Sequence, residues 1–128
     1  KRYQEAIDCY NITIELDDPT SFAYLRIGKC YEKLGNKEQA LNFYLKTVHE
    51  DPLLDKGWIA ITDFYIRQKN YQKALYYVNK AIGIDGDNPL YWKRFAAVNS
   101  ALHFFEEAEY GYRYFHSLDR CFTIFRRI

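Results

Sequence analysis

Apolar residues recur at i, i+3 and i+7 in two stretches of the chain. Tyr24, Ile27 and Tyr31 form the first set; Trp58, Ile61 and Tyr65 form the second. This spacing predicts a helix with one buried face in each stretch. Ala40, Tyr44 and Val48, then Ala74, Val78 and Ile82, predict a partner helix after each of them. No segment sustains period-two alternation, so no strand is predicted. Asp17-Asp18-Pro19, Asp51-Pro52 and Asp85-Gly86-Asp87-Asn88-Pro89 are breakers that end one helix and cap the next. Asn88 before Pro89 reads as an N-cap followed by proline at the first helical position. Gly35-Asn36 supplies a left-handed stop between the helices of a pair. Lys69-Asn70 and His103-Phe104 hold the same place with residues less suited to it.

The pattern repeats. A shift of 34 aligns Ala6, Ala40, Ala74 and Ala108 in one column, and Asp17, Asp51, Asp85 and Asp119 in another. Tyr10, Tyr44, Val78 and Tyr112 form a third column; Tyr24, Trp58 and Trp92 form a fourth. Gly28, Thr62 and Ala96 form a column of small residues. A glycine within a helix costs roughly 1 kcal/mol relative to alanine. The expected return at Gly28 is a close approach to the alanine of the second helix, with large rings filling the space above and below. The thirteen tyrosines, part of a 19% aromatic content, then supply the repeated rings, their hydroxyls expected at a rim near solvent.

At these columns the chain resembles the tetratricopeptide-repeat family, whose period is 34 residues. Residues 21–54 carry the resemblance through Tyr24, Ile27-Gly28, Tyr31, Gly35, Ala40, Tyr44 and Pro52. Residues 55–88 carry it through Trp58, Ile61, Tyr65, Tyr71, Ala74 and Ala81. Residues 89–120 carry it through Trp92, Phe95, Ala96 and Ala108, and depart from it at Asn99 and Phe115. Residues 1–20 read as the second helix of a partial repeat, so the solenoid is assigned to 1–120. Residues 121–128 are then a tail, either a capping helix or a truncated repeat. The resemblance implies an all-α, right-handed superhelical solenoid of antiparallel helix pairs, without chemistry of its own. First helices would line a concave groove that binds peptides or protein segments.

By that analogy the groove takes Phe22, Leu25, Lys29, Glu32, Lys33, Lys56, Ile59, Asp63, Ile66, Arg67, Leu90, Lys93, Ala97, Ser100 and Ala101. Five of these are basic and two acidic, which suits an acidic, partly apolar segment. Some family members clamp a chaperone's C-terminal carboxylate with Lys, Asn, Asn, Lys and Arg. The matching columns here hold Leu25, Lys29, Ala60, Leu90 and Arg94, and Arg94 alone agrees, so no clamp of that kind is expected.

Composition adds little to this. Hydrophobic residues at 48% and charged residues at 27% describe an ordinary folded chain of 128 residues. A net charge of +1 gives no global drive toward nucleic acid or an anionic membrane. No apolar run reaches the ~18 residues of a membrane span. Cys9, Cys30 and Cys121 lie outside metal or CxxC spacing and fit free thiols in a reducing compartment, so a cytoplasmic protein is expected. The chain opens in mid-pattern without Met, as a fragment would. His49, His103 and His116 share no catalytic constellation, and Cys30 reads as a packing residue. "DGDN" at 85–88 lacks the glutamate that ends a calcium loop. No enzyme activity, cofactor or metal is therefore expected. The tail mixes Phe115, Phe122, Ile124 and Phe125 with Arg120, Arg126 and Arg127; a membrane-surface anchor needs a longer segment. The alternatives to groove binding are self-assembly, with homodimers formed through exposed terminal helices, and service as the regulatory arm of a larger enzyme or sensor. RNA binding ranks below them.

Overall fold

The computed structural model describes residues 2–16 and 21–127. The breaker Asp17-Asp18-Pro19 lies outside the described residues, and with it the first member of the aspartate column. The described residues form seven α-helices and no strand: α1 Tyr3–Leu16, α2 Ser21–Lys33, α3 Lys37–Glu50, α4 Asp55–Arg67, α5 Tyr71–Ile84, α6 Pro89–Ala101 and α7 Phe105–Arg127. The fold is an all-α helical repeat solenoid. The chain divides into two compact units, residues 1–61 and 62–128.

In the first unit α2 packs against both α1 and α3. Its core holds Ile7, Leu25, Ile27, Ala40, Tyr44 and Val48. Ile27 is wholly buried, and such burial contributes about 1.5–3 kcal/mol per side chain. The close approach at Gly28 differs from the sequence expectation. A methyl group there would lie 2.7 Å from the Tyr44 ring and 3.2 Å from the Ala40 carbonyl oxygen. The glycine therefore makes room for an aromatic ring, and the alanine contributes its backbone. Tyr44 is 1% exposed, and its hydroxyl donates to Glu32 Oε1 at 2.7 Å. This hydroxyl finds the half-buried carboxylate of the facing helix, the partner that a buried phenol needs. Gly57, early in α4, lies over Thr47 and Val48 of α3, where an added methyl would approach to 3.1 and 2.9 Å.

The second unit repeats the scheme with Ala74, Val78, Ala81, Tyr91, Ala96 and Val98 buried. α5 packs on α6, and α6 on α7. Asn99, standing where the family has tyrosine, is 2% exposed and donates from Nδ2 to the Phe95 carbonyl at 2.8 Å.

The three turns within helix pairs share one geometry although their sequences differ. Gly35, Lys69 and His103 have φ of +84°, +60° and +64°. The following amides of Asn36, Asn70 and Phe104 donate to Tyr31, Tyr65 and Asn99 carbonyls at 2.9, 2.9 and 2.8 Å. Gly35, Lys69 and His103 amides close the inner bond at 3.1, 3.0 and 3.0 Å. This is the Schellman arrangement. Asn36 and Asn70 then cap the next helix, accepting from Gln39 and Lys73 amides at 3.2 and 3.4 Å. Asn88 caps α6 through the Leu90 amide at 3.0 Å, with Pro89 opening the helix.

The aspartate column ends helices twice and then fails to. Asp51 and Asp85 cap α3 and α5, each followed by Pro or Gly. Asp119 is followed by Arg120, and α7 runs through both without a break for 23 residues. Residues 121–127 of the predicted tail are the last turns of α7, and residue 128 lies outside the described residues; α7 has no break at 120. Among the described residues no helix is long and apolar enough to cross a membrane.

Candidate interaction face

The predicted groove residues separate by environment. In the first unit Phe22 is 51% exposed, and Lys29, Lys33 and Lys56 are exposed. Ile59 is half-buried. Leu25 is a correction: it is 4% exposed and belongs to the core. α2 packs on two neighbours, so the arc it withdraws from solvent is wider than one stripe and takes Leu25 with it. Glu32 is half-buried and already accepts the Tyr44 hydroxyl.

In the second unit Asp63 and Arg94 join each other. Arg94 Nε donates to Asp63 Oδ1 at 2.7 Å, and Nη2 to Oδ2 at 3.2 Å. Arg94 Nη1 also reaches the Leu90 carbonyl at 3.2 Å. A two-pronged pair of this kind fixes both side chains. The single residue that agreed with a carboxylate clamp is thus held by a carboxylate of its own chain. Lys93 is exposed, with Nζ 5.8 Å from the centre of the Phe115 ring. Arg67 is exposed at the end of α4. Three candidate basic side chains, Lys29, Lys33 and Lys56, are thus exposed in the first unit and two, Arg67 and Lys93, in the second, while Asp63 and Arg94 neutralise one another.

Sequence reasoning missed a second surface feature of the first unit. Tyr24, Asn42, Leu45, Lys46, His49 and Glu50 line a depression of about 440 Å³. Lys46 Nζ lies 4.6 Å from the Phe43 ring centre and 5.9 Å from that of Tyr24. The aromatic column at Tyr24 was visible in the sequence, but its lysine partner was not, because a long flexible side chain leaves no periodic trace. His49, His103 and His116 are all exposed. Burial pushes the Cys30 thiol above its ordinary value, which suits a packing residue better than a nucleophile.

Comparison with known proteins agrees with this architecture. Residues 22–53 and 56–88 each match the tetratricopeptide-repeat family. The chain is 27% identical over 119 residues to ER membrane protein complex subunit 2 of Xenopus tropicalis, covering 90% of this chain and 39% of that protein. It thus spans well under half the length of the curated relatives it matches. The crystal structure of MamA superposes with a TM-score of 0.86 at 14% identity, over 94% of this chain and 71% of that one. The first repeat domain of Spaghetti (RPAP3), bound to an HSP90 peptide, superposes with a TM-score of 0.74 at 24% identity, over 81% and 82% of the two chains. At these identities the structural likenesses establish the fold.

Proposed function

Because this chain belongs to the tetratricopeptide-repeat family, whose fold is a protein–protein interaction scaffold, we propose that it works without catalysis, binding a protein segment through its first helices. The ligand this reading favours is acidic and partly apolar. The observation that carries it is the grouping of exposed Lys29, Lys33 and Lys56 with the exposed ring of Phe22 in one compact unit. Basic side chains steer an acidic segment into encounter, and an apolar anchor holds it. Support also comes from the Spaghetti domain, which was solved with an HSP90 peptide in place. Arg94 has no part in this reading, since Asp63 occupies it.

The test measures binding of a library of acidic, hydrophobic-anchored peptides to the chain and to Lys29→Glu/Lys33→Glu/Lys56→Glu. Hits that weaken at least about tenfold in the variant, and weaken with salt, support the reading. Arg94→Ala should leave the same affinities unchanged. Hits that bind both proteins equally would sink the basic-face proposal.

A second reading is supported by the likeness to an ER membrane protein complex subunit. In it the chain is one subunit of a larger assembly and docks to its neighbours through these same helices. Isolation of the tagged protein at its natural abundance, with its apparent mass compared with that of the chain alone, tests this. The sparse, odd count of three cysteines, none in metal or CxxC spacing, supports a cytoplasmic placement, which fractionation of source cells tests.

A further inference from the structure

The turn that opens α7 breaks the pattern of the two before it. Asn36 and Asn70 stand at the starts of α3 and α5 and cap them with their side chains. Phe104 holds that position ahead of α7, and a phenyl ring offers no acceptor to the first amides of the helix. The chain forgoes a cap there and sets two large rings in water instead: Phe104 is 49% exposed and Phe105 63%. Glu106 and Glu107 follow in the first turn, both exposed. The Phe105 ring meets the His103 ring edge to face, at 5.7 Å. Exposure belongs to these positions of the repeat. In the two earlier repeats, which further helices follow, residues 36–39 and 70–73 are exposed, Tyr71 alone being half-buried. Residues that break a local rule with no gain in packing point to a surface in use.

Two exposed rings beside two carboxylates make an acidic, partly apolar tip, and that is the ligand proposed above for the first unit. We propose that the tip of one copy (Phe104, Phe105, Glu106 and Glu107) docks on the face formed by Phe22, Lys29, Lys33 and Lys56 of a second copy. The inference rests on the acidic-ligand reading of that face. Glu106 and Glu107 meet the lysine ammoniums, and the Phe104 and Phe105 rings pack with the Phe22 ring, which is 51% exposed. Pairing tip with tip would set carboxylate against carboxylate, and pairing face with face would set lysine against lysine. The two surfaces therefore select each other, and the contact is heterologous. Each copy offers one tip and one face, so the association extends head to tail or closes into a ring. A membrane surface suits the tip less well, because anionic headgroups repel Glu106 and Glu107. A tip this small falls well short of the ~20–30 residues a side of a stable interface, so the contact is weak and reversible.

Sedimentation of the 128-residue chain at concentrations up to about 1 mM, in low and high salt, tests this. The average mass is expected to rise with concentration past that of a dimer, and to fall at high salt. Phe104→Asn/Phe105→Lys gives α7 the pair of residues that opens α3, so helicity should be unchanged while association weakens at least about tenfold. Lys29→Glu/Lys33→Glu/Lys56→Glu should weaken it as much. Mixed together, the two variants should form a one-to-one dimer that grows no further, since each pair then holds one intact tip and one intact face. A chain that is monomeric throughout overturns the proposal. So does an association that either variant leaves intact, or a mixture of the two variants that stays monomeric. A monomer that binds phosphatidylcholine vesicles, and loses them with Phe104→Asn/Phe105→Lys, overturns it in favour of a membrane. Acidic peptides that bind the face of a chain still monomeric remove the self-association and leave the reading of the face standing; failure of both would remove both.

Discussion

The rings of Tyr65 and Tyr77 lie 5.6 Å apart and within 9° of parallel, joining the two helices of one repeat. Tyr31 and Phe43 make the same contact one repeat earlier, at 5.6 Å and 21°. One repeat later the two positions hold Asn99 and Gly111, so both partners of the stack are lost together. Their space is filled from elsewhere: the Phe95 ring sits against Gly111, and Asn99 turns back to bond the Phe95 carbonyl. If the stack itself carries stability, Tyr65→Ala and Tyr77→Ala should be non-additive. A double-mutant cycle by urea denaturation is expected to return a coupling of about 0.5–1.5 kcal/mol. A coupling of zero would reduce the pair to simple burial.

Three glycines in helices should respond to alanine with different signs. Gly28→Ala gains roughly 1 kcal/mol of helix propensity but drives a methyl into the Tyr44 ring, which Glu32 anchors. Overpacking of this kind costs about 1–3 kcal/mol, so a net loss is expected. Gly111→Ala should lose more, since the methyl would meet the Phe95 ring at 2.8 Å and Ala96 Cβ at 3.0 Å. Gly83 has nothing within 4 Å, and Gly83→Ala should stabilise by about 0.5–1 kcal/mol. Thermal melts of the three variants check the order.

The left-handed turns at Lys69 and His103 are improvable. A side chain in this conformation costs about 1–2 kcal/mol, and glycine escapes most of it. Lys69→Gly and His103→Gly should each raise stability, by up to about 1 kcal/mol after the larger entropy of the unfolded glycine chain is counted. Gly35→Ala at the equivalent turn should do the reverse. Chemical denaturation midpoints give the comparison.

Tyr77 sets an alkaline limit. Burial, and then the neighbouring Tyr65 and Tyr76 hydroxyls, push its phenol above the ordinary value of 10.0. In the unfolded chain the phenol ionises first, so above that pH the unfolded state holds fewer protons than the native one. The contribution from Tyr77 is therefore complete below the unfolded value and is lost as pH rises through the folded one. Tyr77→Phe should flatten the fall in stability above pH 10. An unchanged alkaline slope in the variant would assign the fall to other groups.

The repeat was legible because its signals are periodic. Ala40, Ala74 and Ala108, all buried, share a column, and the turn at Gly35 has counterparts of identical shape at Lys69 and His103. What escaped was relational. Leu25 sits on a helix with two neighbours, and a single-stripe pattern does not say how wide the buried arc is. Asp63 and Arg94 stand 31 positions apart, a spacing outside the repeat period, so nothing along the chain marks them as partners. Asn99 was visible as a departure, but its meaning lay in Gly111, which replaces the ring across from it. The length of α7 was hidden in one substitution: Arg120 stands where earlier repeats have Pro52 and Gly86, and without a breaker the helix continues.

Both tryptophans are tied to the turns that precede their helices. Trp58 Nε1 donates to the Pro52 carbonyl and Trp92 Nε1 to the Gly86 carbonyl, each at 2.7 Å. Trp58 lies in the first compact unit and Trp92 in the second, and the chain has two tryptophans in all. The protein thus carries a built-in optical reporter in each unit, each fastened to a junction between repeats. With Trp92→Phe the emission follows the first junction alone; with Trp58→Phe it follows the second. Coincident unfolding curves from the two would make the chain one cooperative block. Separated curves would make it a row of repeats that open one after another, with the less stable junction as the place where a binding partner meets the least resistance.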